Sequence, residues 1–391
     1  MGVKYHHGIP LKKYRELRKW TLARLAALWP RSDGGEGVNI TYVQEVEAGK
    51  KHIRDQEVLR KLSALLDIPL WEFGYTEYNP FAPEALPGRG ERMFYETLDV
   101  VEAMIDQTLT LRRIAPLPVV EKSAQVLEKL FDYYCARLPP PSKLERRFLQ
   151  LYAQQKNITG LMYFEHNKYD KALTTFEEMY DLAKQADDTV LIVHALQKMG
   201  VELNRADRKQ EAINALEEAR DRSFSASKPV AAFANAYLAH IAAACGDALR
   251  FERAINTAQT LADSLGDRYG DGTDFVYHKM SGVLQLKSRG YLRIGEPGKT
   301  LKLHDDLKQQ ISADANLWLD HRLHLYRGRA YLMLGDVEAA IGACRELFRE
   351  VKDWHSPHRL SRAYELLDQI EEGGYGKLQV VKEFREELGS Y

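Results

Sequence analysis

Residues 157–179 read NITGLMYFEHNKYDKALTTFEEM. Two small residues, Gly160 and Ala172, stand twelve positions apart, with Asn167 between them. The pattern returns as Gly200/Ala212, Ala242/Ala254, Ser288/Thr300 and Gly328/Ala340. Three residues after the first member come Tyr163, Leu203, Cys245, Tyr291 and Tyr331; seven after the second come Met179, Ala219, Leu261, Leu307 and Leu347. Asn167, Asp207, Gly295 and Gly335 occupy the turn position, five before the second member. Successive repeats lie 40, 42, 46 and 40 residues apart. Self-similarity of this length marks a solenoid of helical hairpins. Residues 355–390 supply one more hairpin that ends the array.

The repeats resemble the tetratricopeptide repeat, although they exceed its usual ~34 residues. That resemblance implies an all-α, right-handed superhelix whose concave face is lined by the first helix of each hairpin. Positions six and three before the first small residue then face the groove. They are Gln154 and Asn157, His194 and Gln197, Ala236 and Ala239, Gly282 and Gln285, and Arg322 and Leu325. Arg289 and Arg329 lie one residue beyond the small position, and Asn204 and Asn235 lie near the same face. Amides along a groove hydrogen-bond an extended peptide backbone, and arginines suit a carboxylate. The candidate peptide-binding set is therefore Gln154, Asn157, His194, Gln197, Asn204, Asn235, Gln285, Arg289, Arg322 and Arg329. A solvated groove with no ligand is the bland alternative.

Upstream, YNPFAPEALPGRGE (78–91) is rich in proline and glycine and breaks any helical period. It divides the chain into a head, 1–77, a linker, 78–91, and the repeat domain, 92–391. Two long helical segments, about 92–113 and 119–137, precede a second break at LPPPSK (138–143).

Four helices are expected in the head. The first follows Leu11, with Leu11, Tyr14 and Leu17 on one buried face. The second is capped by Thr21 and stopped by Pro30. The third lies in GVNITYVQEVEAGKK (37–51), with Asn39 as N-cap, Tyr42, Val43 and Val46 inward, and Gly49 ending it at φ > 0. The fourth runs from Asp55 to Leu66 with Val58, Leu59, Leu62, Leu65 and Leu66 inward, and Trp71 and Phe73 form a lid. These segments, in this order, resemble the helix-turn-helix domain of Xre and phage repressors. Glu47-Ala48-Gly49 matches the end of that family's recognition helix. The resemblance implies base contacts from Thr41 and Gln44. Asn39, Tyr42 and Glu45 join them as DNA-binding candidates, and Arg24, Lys50, Lys51 and Arg54 supply phosphate contacts. Two departures stand out. PRSDGGE (30–36) is inserted where a tight turn is usual, and Leu22 replaces a polar residue that touches phosphate in the family. The insertion is either a slack loop or a phosphate contact through Arg31.

Charge agrees with a two-part chain. The 391 residues hold 55 Lys and Arg against 56 Asp and Glu, yet residues 1–75 hold 13 against 9. A basic module on a mildly acidic body suits an anionic partner for the first part alone. The longest run without acidic or basic residues, Pro229–Gly246, is Ala-rich and carries Asn235 and His240, so it reads as a close-packed soluble helix. The N-terminus lacks a signal-peptide core. Three widely separated cysteines exclude a disulfide framework. The pairs His321/His324 and His355/His358 lack companion ligands and read as exposed or capping, and GDRYGDGTD (266–274) as a long loop. No metal, cofactor or catalytic motif is expected, and the protein is expected to be cytoplasmic and not an enzyme.

A helix-turn-helix head on a repeat array resembles the peptide-pheromone receptors of the Rap/NprR/PlcR/PrgX type. The resemblance implies a homodimeric regulator that reads a pseudo-palindromic site in double-stranded DNA and is controlled by a short signal peptide in the concave groove. The alternatives are a repeat domain that binds a partner protein, and a scaffold with a relic head.

Overall fold

The computed structural model describes residues 6–31, 34–68, 70–73, 89–137, 139–265, 279–314 and 316–389. The linker residues 78–88 and the loop 266–278 lie outside them. The described residues are helical with no strand, save one isolated bridge between Pro30 and Glu36. They form two compact units, Met1–Phe94 and Tyr95–Tyr391.

In the first unit, α1 (Gly8–Leu17), α2 (Leu22–Ala27), α3 (Ile40–Glu47) and α4 (Gln56–Leu66) are followed by a 3₁₀ turn, Leu70–Phe73. Local chemistry sets the starts. Thr21 accepts a hydrogen bond from the N–H of Arg24, Asn39 from Thr41 and Asp55 from Glu57, which satisfies donors that a helix leaves open. The ends follow from φ > 0, at Gly49 (70°) after α3 and at Asp67 (47°) after α4. Leu11, Leu25, Val43, Val46, Leu59, Leu62, Leu66 and Phe73 form the core. Leu17 does not join it, being 68% exposed. The buried side of α1 instead carries Gly8, Leu11 and Arg15. A Cβ on Gly8 would stand 1.9 Å from the carbonyl oxygen of Val46, so only glycine lets α1 lie this close to α3. The inserted loop is tied at its base: Arg31 N–H donates to Gly35 O at 2.9 Å and Gly37 N–H to Trp29 O at 2.8 Å. It is not slack. The side chain of Trp71 lies outside the described residues.

The second unit takes in α5 (Arg89–Ile114) from Tyr95 onward and α6 (Leu117–Arg137), then continues as hairpins. They are α7/α8 (Glu145–Glu165, Tyr169–Gln185), α9/α10 (Thr189–Arg205, Lys209–Ser223) and α11/α12 (Lys228–Ala244, Ala248–Asp263). The fourth has a broken second arm, α13 (Met280–Arg293) with α14 (Pro297–Lys302) and α15 (His304–Ala313). Two more follow, α16/α17 (Asp320–Met333, Val337–Lys352) and α18/α19 (Pro357–Ile370, Gln379–Gly389).

Five of the turns inside these hairpins are alike. Asn167, Asp207, Gly246, Gly295 and Gly335 all have positive φ. The next N–H reaches back five residues in each: Lys168 to Tyr163, Arg208 to Leu203, Asp247 to Ala242 and Glu296 to Tyr291 at 2.9 Å, and Asp336 to Tyr331 at 3.0 Å. This double reversal closes the helix and starts the next arm.

The turns also correct the third repeat. Gly246, not Leu249, is its turn residue, so Ala239 and Phe251 are the crossing pair rather than Ala242 and Ala254. The repeats therefore lie 40, 39, 49 and 40 residues apart. Phe251 hid the register because it stands where the others carry Ala or Thr. Its fully buried ring occupies space that Gly290 leaves open, where a Cβ would come within 2.1 Å of it. At the regular crossings the fit is just as close: a Cβ on Gly160 would meet the Phe176 ring at 2.4 Å, and Thr300 Oγ1 donates to Ser288 O at 3.0 Å.

The array closes on itself. At the end of α7, Glu165 accepts from Trp318 Nε1 at 3.1 Å and from Ser356 Oγ at 2.6 Å, with Arg112 at 3.7 Å and Arg359 at 3.8 Å. The His358 ring lies against that of Phe164, tilted by 48° with centroids 4.2 Å apart, and Leu117 N–H donates to Trp354 O at 3.0 Å. The first hairpin thus meets the last, and α5 reaches the first through Arg112.

Candidate functional site

Closure leaves a cavity enclosed by the first helices of the hairpins, roughly 1550 Å³ of empty space counting its open mouth. One sequence position recurs in its wall: Leu161, Val201, His240, Arg289 and Arg329 each follow the small residue of the corrected repeats. The periodicity follows from helix geometry, since the same offset in equivalent helices presents the same face.

Five of the ten residues expected in the groove line this cavity: Asn157, Gln285, Arg289, Arg322 and Arg329. Gln285 is a relay, donating to Tyr326 Oη at 2.5 Å and accepting from Arg322 Nη1 at 2.9 Å. Arg322 also lies 4.0 Å over the Trp318 ring. Asn157 is buried, and its Oδ1 has no hydrogen-bond partner within the protein.

The other five do not line it. His194 and Gln197 pair with each other at 3.2 Å inside α9, where every residue from Leu191 to Gln197 is buried. A helix enclosed on all sides shows no outward face to read. Asn235 is buried and donates to Ala231 O at 2.9 Å within its own helix; the three-residue register error had placed it near the groove. Gln154 and Asn204 lie outside the wall. The structure substitutes Lys198, Glu202 and Arg205 in the second hairpin and Phe233, Tyr237 and His240 in the third. With the register corrected, Phe233 falls six before the small residue, which the offset rule would have found. Arg112 and Arg113 come from α5, where no repeat pattern pointed to them.

Among the described residues, nine of the wall's side chains are Arg or Lys and only Glu202 is acidic. Glu202 is bound to Arg205 at 3.1 Å, and burial pushes its carboxyl up from the ordinary range. Arg289 makes no hydrogen bond or ion pair; burial and the neighbouring arginines push it down to about 9. His321 and His358 are buried in the wall, not exposed or capping. Burial, reinforced by neighbouring arginines, holds His240 and His321 well below the ordinary imidazole value and takes His358 to about 2.

A pH dependence follows. These imidazoles stay neutral in the fold but protonate near 6.5 in the unfolded chain. A depressed folded pKa means stability that is complete above 6.5 and lost as pH falls below it. Each imidazole should contribute a slope of about 1.4 kcal/mol per pH unit between roughly pH 6 and the folded value. Urea unfolding between pH 7.5 and 5 should show this fall, and His358→Gln should flatten it by about one proton. An unchanged slope in the variant would refute the assignment.

In the first unit, Arg24, Asn39, Thr41, Gln44, Lys50, Lys51 and Arg54 are all solvent-exposed. Thr41 and Gln44 stand on the outer side of α3. Glu45 binds Lys51 at 2.6 Å in a solvent-accessible pair. Tyr42 is turned partly inward, edge-on to Trp29 with centroids 5.6 Å apart, with Lys51 5.3 Å over its ring. Glu47 is structural. It takes Arg15 in a two-point pair at 2.6 and 2.9 Å.

Among the described residues no group of three His, Cys, Asp or Glu converges as a metal site, and no helix is long and apolar enough to cross a membrane. No protein-family model matches the chain, and no curated protein matches it in sequence. Its fold is similar to that of a Rap protein complexed with competence and sporulation factor, at 14% identity, a TM-score of 0.50, and coverage of 98% of this chain and 96% of that one. Bacillus thuringiensis PlcR, solved in complex with the peptide PapR7 and DNA, aligns at 13% identity and a TM-score of 0.40 over 96% of this chain and 98% of that one.

Proposed function

We propose that the protein is a cytoplasmic transcription regulator, a homodimer that binds double-stranded DNA through α3 and is controlled by a short peptide held in the cavity of the repeat unit. The cavity carries this reading. It joins residues from α5, from all five repeats and from α18, so its occupant touches every part whose relative position defines the array. A ligand that bridges many weak neighbour interfaces shifts the curvature of a solenoid. Unpaired Asn157 Oδ1 and Ser281 Oγ in the wall suit the N–H and C=O groups of an extended chain. Closure at Glu165 favours a short ligand over a folded partner protein. For the first unit, support comes from the exposure of Thr41 and Gln44 on one helix, flanked by Lys50 and Arg54.

Titrating the full-length protein with the DNA upstream of its own gene, and with a scrambled duplex, across a salt series tests the DNA half. Affinity should fall linearly in log–log form, and Lys50→Ala and Arg54→Ala should each reduce the slope by about one. Gln44→Ala should weaken selectivity by about 1–3 kcal/mol at one base pair. Equal affinity for both duplexes at every salt, with and without bound ligand, would refute DNA reading.

A further inference from the structure

The cavity is short of negative charge at one place. Among the described residues Arg289 has no hydrogen bond or ion pair, its nearest acidic neighbour in the wall, Glu202, being bound to Arg205, and Arg322 is held by Gln285 and Trp318, neither of which is charged. Arg362 and Arg329 share Glu365, which sits outside the wall. Arginines gathered in a water-poor pocket repel one another, and a buried cation needs a counter-charge. Around them stand Phe233, Tyr237 and Tyr326, aromatic surfaces for apolar side chains.

We propose that the cavity selects an anionic peptide, and that a carboxylate of that peptide is received by Arg289 and Arg322. This rests on the peptide reading above. Arginine forks bind carboxylates in two-point, charge-assisted pairs, and here the pairing would also relieve the repulsion between like charges. The carboxylate has two sources, an acidic side chain or the free C-terminus. Lysine- or arginine-rich peptides are excluded by the same field.

The test uses the full-length protein and defined pools of random pentapeptides at about physiological salt. One pool carries Asp or Glu at a fixed position, and its counterpart carries Asn or Gln there. Each is made with a free and with an amidated C-terminus. Bound peptides are recovered and counted, and glutarate is tested separately as a minimal dicarboxylate by its shift of the unfolding midpoint. Acidic or free-acid peptides should be enriched roughly 10- to 100-fold over their neutral, amidated counterparts. Arg289→Met and Arg322→Met should each remove most of that preference while the variants keep the wild-type helical signal and unfolding midpoint. Which pool is enriched identifies the source. Equal enrichment of charged and neutral pools would overturn the proposal and leave the peptide reading standing. Stabilisation by glutarate, lost in Arg289→Met, with no pool retained would uphold the anion site and overturn the peptide. Neither effect would overturn both.

Discussion

Glu165→Ala should lower the unfolding free energy of the repeat unit by about 3–5 kcal/mol, the usual result of removing one partner from a buried charge cluster. Glu165 is 2% exposed and Arg359 3% exposed, so neither charge can turn to water. Arg359 lies 3.9 Å over Trp354, and Arg112 4.3 Å over Trp318. Without the carboxylate, two buried guanidinium groups remain beside one another, and Trp318 Nε1 and Ser356 Oγ lose their acceptor. The helices involved are far apart in sequence, so the loss should appear as separation of α7 from α18. Urea unfolding followed by tryptophan fluorescence measures the free energy, and hydrogen exchange at residues 160–166 and 354–362 locates the opening. Glu165→Gln should cost less, since its carbonyl still accepts one of the two hydrogen bonds. Arg359→Met added to Glu165→Ala should recover part of the loss, because it removes one stranded charge. A single variant within 1 kcal/mol of wild type would mean that the closure is not held here.

Glu47→Ala should unfold the first unit while the second stays folded. Arg15 donates two bonds to Glu47 and a third, at 2.9 Å, to the carbonyl of Trp20. The side chains of Arg15 and Glu47 are 11% and 8% exposed. Truncating the acid leaves the guanidinium between α1 and α3 with no counter-ion, at a cost of about 3–5 kcal/mol. A small domain has only about 5–15 kcal/mol in all, and one of this size stands near the lower end, so a large share of its reserve would go. In the full chain, exchange protection should vanish from α1 to α4 and persist in the repeat hairpins. Arg15→Met should cost about as much as Glu47→Ala, because it strands a carboxylate whose side chain is only 8% exposed at the end of α3. Unchanged protection in Glu47→Ala would contradict the role.

The glutamate of Glu47-Ala48-Gly49 illustrates what a motif conveys. It was recognised by resemblance as the end of a DNA-reading helix. Its own work is to bind Arg15, and the glycine's is to adopt a φ of 70°. The four caps and ends that local chemistry sets, at Thr21, Asn39, Gly49 and Asp55, were all legible. Leu17 was not placed correctly, because the face that α1 buries is chosen by the close approach of Gly8 to α3.

In the cavity the balance was similar. Arg289 and Arg329 were legible because a residue next to the small crossing position must face the inside. His194 and Gln197 failed because α9 is wrapped over its first two turns. Asn235 failed because Phe251, a large ring at a position that small residues usually hold, shifted the apparent register by three.

The features legible from the residues alone are local ones. Helical stretches, caps and four of the five positive-φ turns depend on neighbours within a few residues, and their side chains carry that information wherever the chain goes. Only the tertiary structure decided that the array closes, that Glu165 lies within reach of Arg112, Ser356 and Arg359, and that nine cationic side chains share one cavity. Closure depends on the small rotation at each hairpin interface summed over the whole array. No single repeat contains that sum, so the contacts between residues some 190 positions apart become visible only when the first hairpin meets the last.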